Sequence, residues 1–143
     1  DTIMEKGGTF YEVADLGFGK CRFALAVVKG KNLYEGYHNL TIASKYVNVA
    51  KNFFEQKSMD VDIVKIEGSV ELAPVLGLAD AIVDIVETGT TLKENGLVVA
   101  EDVCPVSARL IVNIASMKLR KKEIESLIDK MENDVQKRRA KEA

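Results

Sequence analysis

The residues best suited to chemistry form one short segment, residues 84–91 (DIVETGTT). An apolar run delivers two carboxylates, Asp84 and Glu87, and a Thr-Gly-Thr-Thr turn then opens a predicted helix. Backbone N–H groups at the start of a helix attract anions, and Gly89 lets the backbone approach a phosphate closely. Carboxylates suit ribose hydroxyls, or Mg²⁺ shared with a pyrophosphate. The segment predicts a site for a phosphorylated sugar, but the same spacing is equally compatible with a plain turn and helix cap.

Strands and helices alternate around this segment. Apolar runs predict strands over residues 21–28, 40–43, 61–66, 80–86, 97–103 and 108–114. Apolar residues at helical spacing predict a helix over 45–57 with Ser44 as its N-cap. Shorter helices are predicted over 69–76 and from Thr90 to the Asn95-Gly96 pair. Such alternation is typical of an α/β fold built on a mostly parallel sheet.

The two ends of the chain differ in composition from this middle part. Residues 10–16 predict a brief helix that ends at Gly17. Residues 116–143 carry nine Lys+Arg against six Asp+Glu, and their apolar residues recur every three or four positions. This spacing predicts one long amphipathic helix that packs on the chain's own sheet or on a partner subunit. Its basic end is either a solvated helix terminus or a contact for membrane or RNA.

Composition narrows the classes of function. Twenty Lys+Arg against 22 Asp+Glu give a net charge of −2, which argues against nucleic acid as a partner. No apolar run approaches the roughly 20 residues that cross a bilayer, so we expect no membrane contact and a cytoplasmic protein. Cys21 and Cys104 are far apart and predict free thiols, while a single histidine, His38, cannot complete a His/Cys zinc site.

Longer stretches around the segment resemble the ATP phosphoribosyltransferase family. The similar runs are residues 15–22 (DLGFGKCR), 68–74 (GSVELAP), 77–92 (GLADAIVDIVETGTTL), 95–97 (NGL) and 108–113 (ARLIVN). The resemblance implies a two-lobe α/β fold like that of type II periplasmic binding proteins. It also implies the first step of histidine biosynthesis, in which N1 of ATP attacks C1 of 5-phosphoribosyl 1-pyrophosphate. That reaction releases pyrophosphate and requires Mg²⁺.

The resemblance implies substrate contacts at eight positions. The residues that would bind the 5-phosphate are Thr88, Gly89, Thr90 and Thr91. Asp84 and Glu87 would bind the ribose hydroxyls. Ser69 and Glu71 would begin a second helix beside the same cleft. Glu71 either contacts substrate or is a carboxylate favoured by the helix dipole. No protein ligand for the metal is expected, because the substrate itself would hold most of the Mg²⁺ coordination.

The resemblance also predicts a domain organisation and partners. Residues 1–20 would be a remnant of the first lobe, 21–107 the second α/β lobe, and 108–143 a return strand and C-terminal helix on the first lobe. Nothing matches the family's opening strand and Lys-Gly-Arg loop, so the first lobe is expected to be incomplete. The chain's end matches the family's short form, which implies a homo-oligomer with a regulatory subunit similar to histidyl-tRNA synthetase. An alternative from another class is a non-catalytic, small-anion-binding α/β lobe of solute-binding type.

Overall fold

Two compact units make up the computed structural model, which describes residues 1–36 and 38–143. The first unit comprises Asp1–Lys6 and Cys21–Pro105, and the second comprises Gly7–Lys20 and Val106–Ala143. The elements of the first unit are α1 (Thr2–Lys6), β2 (Cys21–Val28), β3 (Thr41–Ser44), α2 (Val47–Gln56), β4 (Asp62–Lys65), α3 (Leu72–Val75), β5 (Ala81–Val86), α4 (Thr90–Glu94) and β6 (Leu97–Val106). The elements of the second unit are β1 (Phe10–Asp15), β7 (Arg109–Asn113), α5 (Ile114–Leu119) and α6 (Lys121–Glu142).

A five-stranded sheet, ordered β4-β3-β5-β2-β6, forms the centre of the first unit. β3 runs parallel to both β4 and β5, whereas β2 is antiparallel to β5. β2 and β5 are buried over most of their length, as expected for strands with elements packed on both faces. These observations confirm the α/β fold, with a mixed sheet of mostly parallel strands. The six predicted strands are all present, with ends that differ by up to three residues.

The corner between β3 and α2 differs from its prediction. Ser44 is not a helix cap: it is the last residue of β3, and α2 begins at Val47 with Tyr46 at the N-cap position. The Glu5 carboxylate from α1 instead accepts hydrogen bonds from the amides of Asn48 (3.1 Å) and Val49 (3.0 Å). Because the cap comes from a residue more than 40 positions away, local spacing could not reveal it.

Removing the Glu5 carboxylate is expected to destabilise the first unit. In Glu5→Ala the first-turn amides of α2 lose their acceptor, and the free energy of unfolding should fall by about 1 kcal/mol. Urea unfolding followed by circular dichroism measures this. Glu55→Ala is the matched control, because Glu55 is exposed and makes only an i,i+4 pair with Lys51 at 3.9 Å. Equal losses for the two variants would show that Glu5 does not cap α2.

The second unit corrects the prediction for residues 10–16, which form the strand β1 and not a helix. β1 pairs antiparallel with β7, with a register shift between Glu12 and Ala14. Phe, Tyr and Val in this run favour a strand once a partner strand supplies the backbone hydrogen bonds. Gly17 adopts φ 72°, and its amide donates to the Asp15 carboxylate at 3.0 Å, which ends the strand in a turn.

The C-terminal segment is also corrected, because it forms two helices and not one. α5 begins after Asn113, whose side chain accepts from the amides of Ala115 (2.9 Å) and Ser116 (3.2 Å). The backbone then leaves the helical region at Arg120, with φ −126° and ψ 33°, and α6 follows. The apolar stripe that predicted the helix, from Ile124 to Val135, lies entirely in α6, so it contained no information about a break at Arg120. No residue of α5 or α6 is buried.

Two expectations from composition can be checked on the described residues. Cys21 and Cys104 are both free thiols, as predicted, but they are half-buried and not fully buried as we expected. Among residues 1–36 and 38–143, no helix combines the length and apolarity needed to cross a membrane.

Candidate functional site

The turn between β5 and α4 carries the residues predicted to bind phosphate. β5 ends at Val86, and Gly89 occupies the N-cap position of α4 with φ 80°. This left-handed conformation strains any residue with a Cβ, whereas glycine adopts it freely. A Cβ built on Gly89 would meet only Val86 Cγ1, at 3.9 Å, so backbone conformation and not crowding explains the glycine.

The threonine hydroxyls of this turn face one another. Thr88 Oγ1 lies 2.9 Å from Thr90 Oγ1 and accepts a long hydrogen bond, 3.4 Å, from the Thr90 amide. Asn95 Nδ2 donates to the Thr91 carbonyl at 2.8 Å, on the opposite side of the first helical turn. Within the part of the chain that the structure describes, no side chain from another element caps the amides of the turn. Two hydroxyls and the first amides of α4 are thus available to an incoming anion.

A cavity of about 320 Å³ opens beside this turn. Seven of the eight predicted site residues line it, together with Ile85, Val86 and Leu92. Those seven are Glu71, Asp84, Glu87, Thr88, Gly89, Thr90 and Thr91. Ser69 is exposed and lies outside the lining residues. It also does not begin a helix, as was predicted: α3 starts at Leu72, and Ser69 contributes only its carbonyl to the preceding turn.

Asp84 is the half-buried carboxylate of the cavity. Desolvation by burial raises its pKa above the ordinary value, and the neighbouring Glu71 carboxylate raises it further. A hydrogen bond from the Ile85 amide, 2.8 Å, and the positive charge of Lys45 act in the opposite direction. A carboxylate that has lost part of its water shell, yet faces a cavity, is well suited to accept hydrogen bonds from the hydroxyls of a ligand.

Two neighbours of Asp84 were missed by the sequence analysis. Lys45 is close enough for its charge to lower the pKa of Asp84, and burial together with the Asp84 charge raises the pKa of Tyr46. Both residues directly follow β3, the parallel neighbour of β5. Residues after adjacent parallel strands meet at the same edge of a sheet, so the strand order contains the signal. Local spacing instead predicts a helix at Lys45 and Tyr46, which the structure places before α2.

The only histidine does not reach the cavity. His38 Nε2 lies 3.4 Å from Asp80 Oδ1, which also binds Lys31 Nζ at 3.2 Å. Asp80 precedes β5 and its other carboxylate oxygen accepts from the Thr41 amide, 2.9 Å, at the start of β3. These contacts lie at the opposite edge of the sheet from Asp84, so His38 takes no part in the cavity.

The carboxylates of the cavity do not form a preorganised metal site. Among residues 1–36 and 38–143, no group of three or more His, Cys, Asp or Glu side chains is arranged to hold a metal ion. Asp84, Glu71 and Glu87 nevertheless line the same cavity and offer oxygen atoms, the donors that Mg²⁺ prefers. The residues therefore fit a magnesium ion that arrives with its ligand, and not one caged by the protein alone.

Comparison with known proteins places this geometry in a family. The model of the ATP phosphoribosyltransferase family matches residues 1–133. The ATP phosphoribosyltransferase of Clostridium kluyveri is 60% identical over 140 residues, which cover 96% of this chain and 64% of the relative. That of Clostridium acetobutylicum is 58% identical over 137 residues, with the same coverage of 96% and 64%.

Solved structures agree with the sequence relatives. The ATP phosphoribosyl transferase (HisG:HisZ) complex from Thermotoga maritima matches with a TM-score of 0.83 and 34% identity, over 94% of this chain and 66% of that one. The arginine-binding protein ArgBP of T. maritima matches with a TM-score of 0.57 at 16% identity, over 91% of this chain and 57% of that one, and shares the fold alone. The chain spans about 64% of the length of the curated relatives it matches. On these similarities and on its site, the chain belongs to the ATP phosphoribosyltransferase family.

Proposed function

We propose that the chain binds 5-phosphoribosyl 1-pyrophosphate in the cavity beside α4 and contributes to its condensation with ATP. The products are N1-(5-phosphoribosyl)-ATP and pyrophosphate, in the first step of histidine biosynthesis. One observation carries the proposal: seven of the eight residues predicted to contact the substrate line a single cavity at an uncapped turn. Family membership supplies the reaction.

The cavity offers separate groups for the two ends of the phosphoribosyl moiety. The amides and hydroxyls of residues 88–91 bind the dianionic 5-phosphate, with Gly89 allowing close approach. The Asp84 carboxylate accepts hydrogen bonds from the ribose 2- and 3-hydroxyls, and Glu87 lies on the same side of the cavity. These contacts orient the sugar so that its C1 faces the adenine of ATP.

The proposed chemistry requires positioning and charge more than proton transfer. Adenine N1 is itself the nucleophile and pyrophosphate the leaving group, so no general base is needed. Positive charge develops on the ribose ring as the bond from C1 to pyrophosphate breaks. Three acidic residues, Glu71, Asp84 and Glu87, line the cavity and stabilise that charge electrostatically. The chain's one histidine, His38, pairs with Asp80 and is not among the residues that line the cavity, which agrees with a reaction that depends on positioning and charge.

Magnesium is part of the proposal as an ion carried by the substrate. When bound, it would neutralise the pyrophosphate and so improve the leaving group. Asp84 and Glu87 are the residues that would hold it, directly or through water, because Mg²⁺ commonly combines one or two carboxylates with substrate phosphates.

The proposal extends to protein partners. The T. maritima relative is a complex of HisG with HisZ, and this chain matches that structure over 94% of its length. We infer a regulatory partner of the same kind, similar to histidyl-tRNA synthetase, and assembly of several catalytic chains. Exposed apolar residues on α5 and α6, Leu119 and Leu127, support association.

Isothermal titration with 5-phosphoribosyl 1-pyrophosphate in the presence of Mg²⁺ tests the proposal. We expect saturable binding that is at least about tenfold tighter than that of inorganic phosphate, because the sugar and both phosphate groups contribute contacts. Ribose 5-phosphate is the control for the phosphate end and should bind with intermediate affinity. Equal affinity for all three ligands would favour the alternative, a non-catalytic lobe that binds small anions. No detectable heat with any of them would contradict both.

A further inference from the structure

A single buried polar side chain lies directly behind the cavity. Ser44, at the end of β3, is 0% exposed and is the sole polar member of the buried set among the described residues. Burying a hydroxyl costs free energy unless the group is hydrogen-bonded, so the hydrogen-bond partners of Ser44 indicate its role in the fold. One partner, Val83, directly precedes the cavity residue Asp84, and the other, Tyr46, lies at the corner before α2.

The Ser44 hydroxyl joins two backbone segments. Its Oγ donates to the Val83 carbonyl at 2.6 Å and accepts from the Tyr46 amide at 2.9 Å. Val83 directly precedes Asp84 on β5, and Tyr46 directly follows Lys45 at the start of α2. One side chain therefore ties together the backbone next to Lys45 and the backbone next to Asp84, two residues whose charges interact.

The hydroxyl acts where the regular pairing of the strands stops. The register of β3 with β5 ends at Ala43 opposite Ile82, one residue before Ser44 and Val83. Beyond that point β3 leads into α2, and β5 continues to the turn at Gly89 that begins α4. The Ser44 bond to Val83 extends the connection by one residue, to the position next to Asp84.

We propose that Ser44 is a positioning residue of the phosphoribosyl-pyrophosphate site, which holds the Asp84 carboxylate against the cavity with Lys45 beside it. This inference rests on the proposed function. The Asp84 carboxylate is faced by Glu71 from the turn before α3 and by Lys45 and Tyr46 from the corner before α2. Without the Ser44 hydroxyl, the β5 backbone next to Asp84 loses its tie to the corner before α2, and the carboxylate is no longer held in the position that binds the ribose.

Ser44→Ala should therefore affect one substrate more than the other. In the complete protein, with its regulatory subunit, we expect the KM for 5-phosphoribosyl 1-pyrophosphate to rise about tenfold, as for the loss of one well-placed hydrogen bond. The KM for ATP should change less than about twofold, because the Asp84 cavity does not bind ATP in this proposal. Ser44→Thr, which keeps the hydroxyl, should restore both KM values.

Val27→Ala provides a control for lost stability, because Val27 is buried on β2 and lies outside the cavity. It should lower the unfolding temperature about as much as Ser44→Ala while leaving both KM values unchanged. Ser44→Cys, which keeps the size but weakens the hydrogen bond, replaces Ser44→Ala if that variant does not fold. A change of both KM values in proportion, or an unchanged KM for 5-phosphoribosyl 1-pyrophosphate, would overturn the inference. If the unaltered protein itself fails to bind 5-phosphoribosyl 1-pyrophosphate, the proposed function fails instead.

Discussion

Asp84→Asn is expected to weaken binding of 5-phosphoribosyl 1-pyrophosphate by about 100-fold, because two charge-assisted hydrogen bonds to the ribose become neutral ones. The fold should be at least as stable at neutral pH. Asparagine keeps the shape of the side chain and can still accept the hydrogen bond from the Ile85 amide, which is 2.8 Å long. The variant thus separates the charge of this residue from its packing.

The stability part of this prediction follows from the sign of the pKa shift. Burial raises the pKa of Asp84, so folding disfavours the charged form of this carboxyl. The group therefore lowers the free energy of unfolding at pH values above its folded pKa, and this penalty disappears as the pH falls through that pKa. Asparagine carries no charge and removes the penalty at every pH. Protonation of Asp84 should also weaken substrate binding by the unaltered protein. We expect the affinity for 5-phosphoribosyl 1-pyrophosphate to fall as the pH decreases through the raised pKa of Asp84, which lies above that of an ordinary aspartate.

Titration calorimetry and thermal unfolding at pH 7 measure the two effects together. Asp62→Asn is the matched control, since Asp62 is exposed on the edge strand β4 and lies outside the cavity. It should leave substrate affinity unchanged. Retained affinity in Asp84→Asn, or a lower unfolding temperature than in the unaltered protein, would show that Asp84 is a structural residue and not a ligand of ribose.

The fold could be predicted from the sequence where local pattern and burial agree. Continuous apolar runs gave the strands β2 and β5, because both faces of these strands are covered. Gly96 and Asn95 correctly marked the end of α4. The prediction failed where distant residues decide the local structure: β1 requires pairing with β7, and the start of α2 is capped by Glu5 from α1. No local spacing contains those contacts.

The same distinction between local pattern and distant contacts applies to the residues of the site. Residues 84–91 are contiguous, so their types and order were enough to predict a phosphate turn with a carboxylate before it, and the structure places them around one cavity. Lys45 and Tyr46 lie near Asp84, and Ser44 bonds to the residue before it, only because β3 lies next to β5 in the sheet. Ser44 was interpreted as a helix cap since serine before a helical run usually has that role. Its actual hydrogen bond to Val83 spans 39 positions of sequence.

Thr90→Val is expected to weaken the phosphate end of the site selectively. Valine has nearly the shape of threonine but lacks the hydroxyl that lies 2.9 Å from Thr88 Oγ1. We expect affinity for 5-phosphoribosyl 1-pyrophosphate to fall about tenfold, and about 100-fold in the double variant Thr88→Val/Thr90→Val, as for one and two hydrogen bonds to a charged phosphate. Thr90 is exposed, so the unfolding temperature should stay unchanged.

Three ligands identify which phosphate the turn binds. If residues 88–91 hold the 5-phosphate, Thr90→Val weakens 5-phosphoribosyl 1-pyrophosphate and ribose 5-phosphate by the same factor, because both carry that group. Affinity for free pyrophosphate should not change. The reverse pattern, with pyrophosphate weakened and ribose 5-phosphate unaffected, would place the pyrophosphate at the turn and reverse the orientation of the sugar. Thr9→Val, an exposed change in the second unit, should alter none of the three affinities.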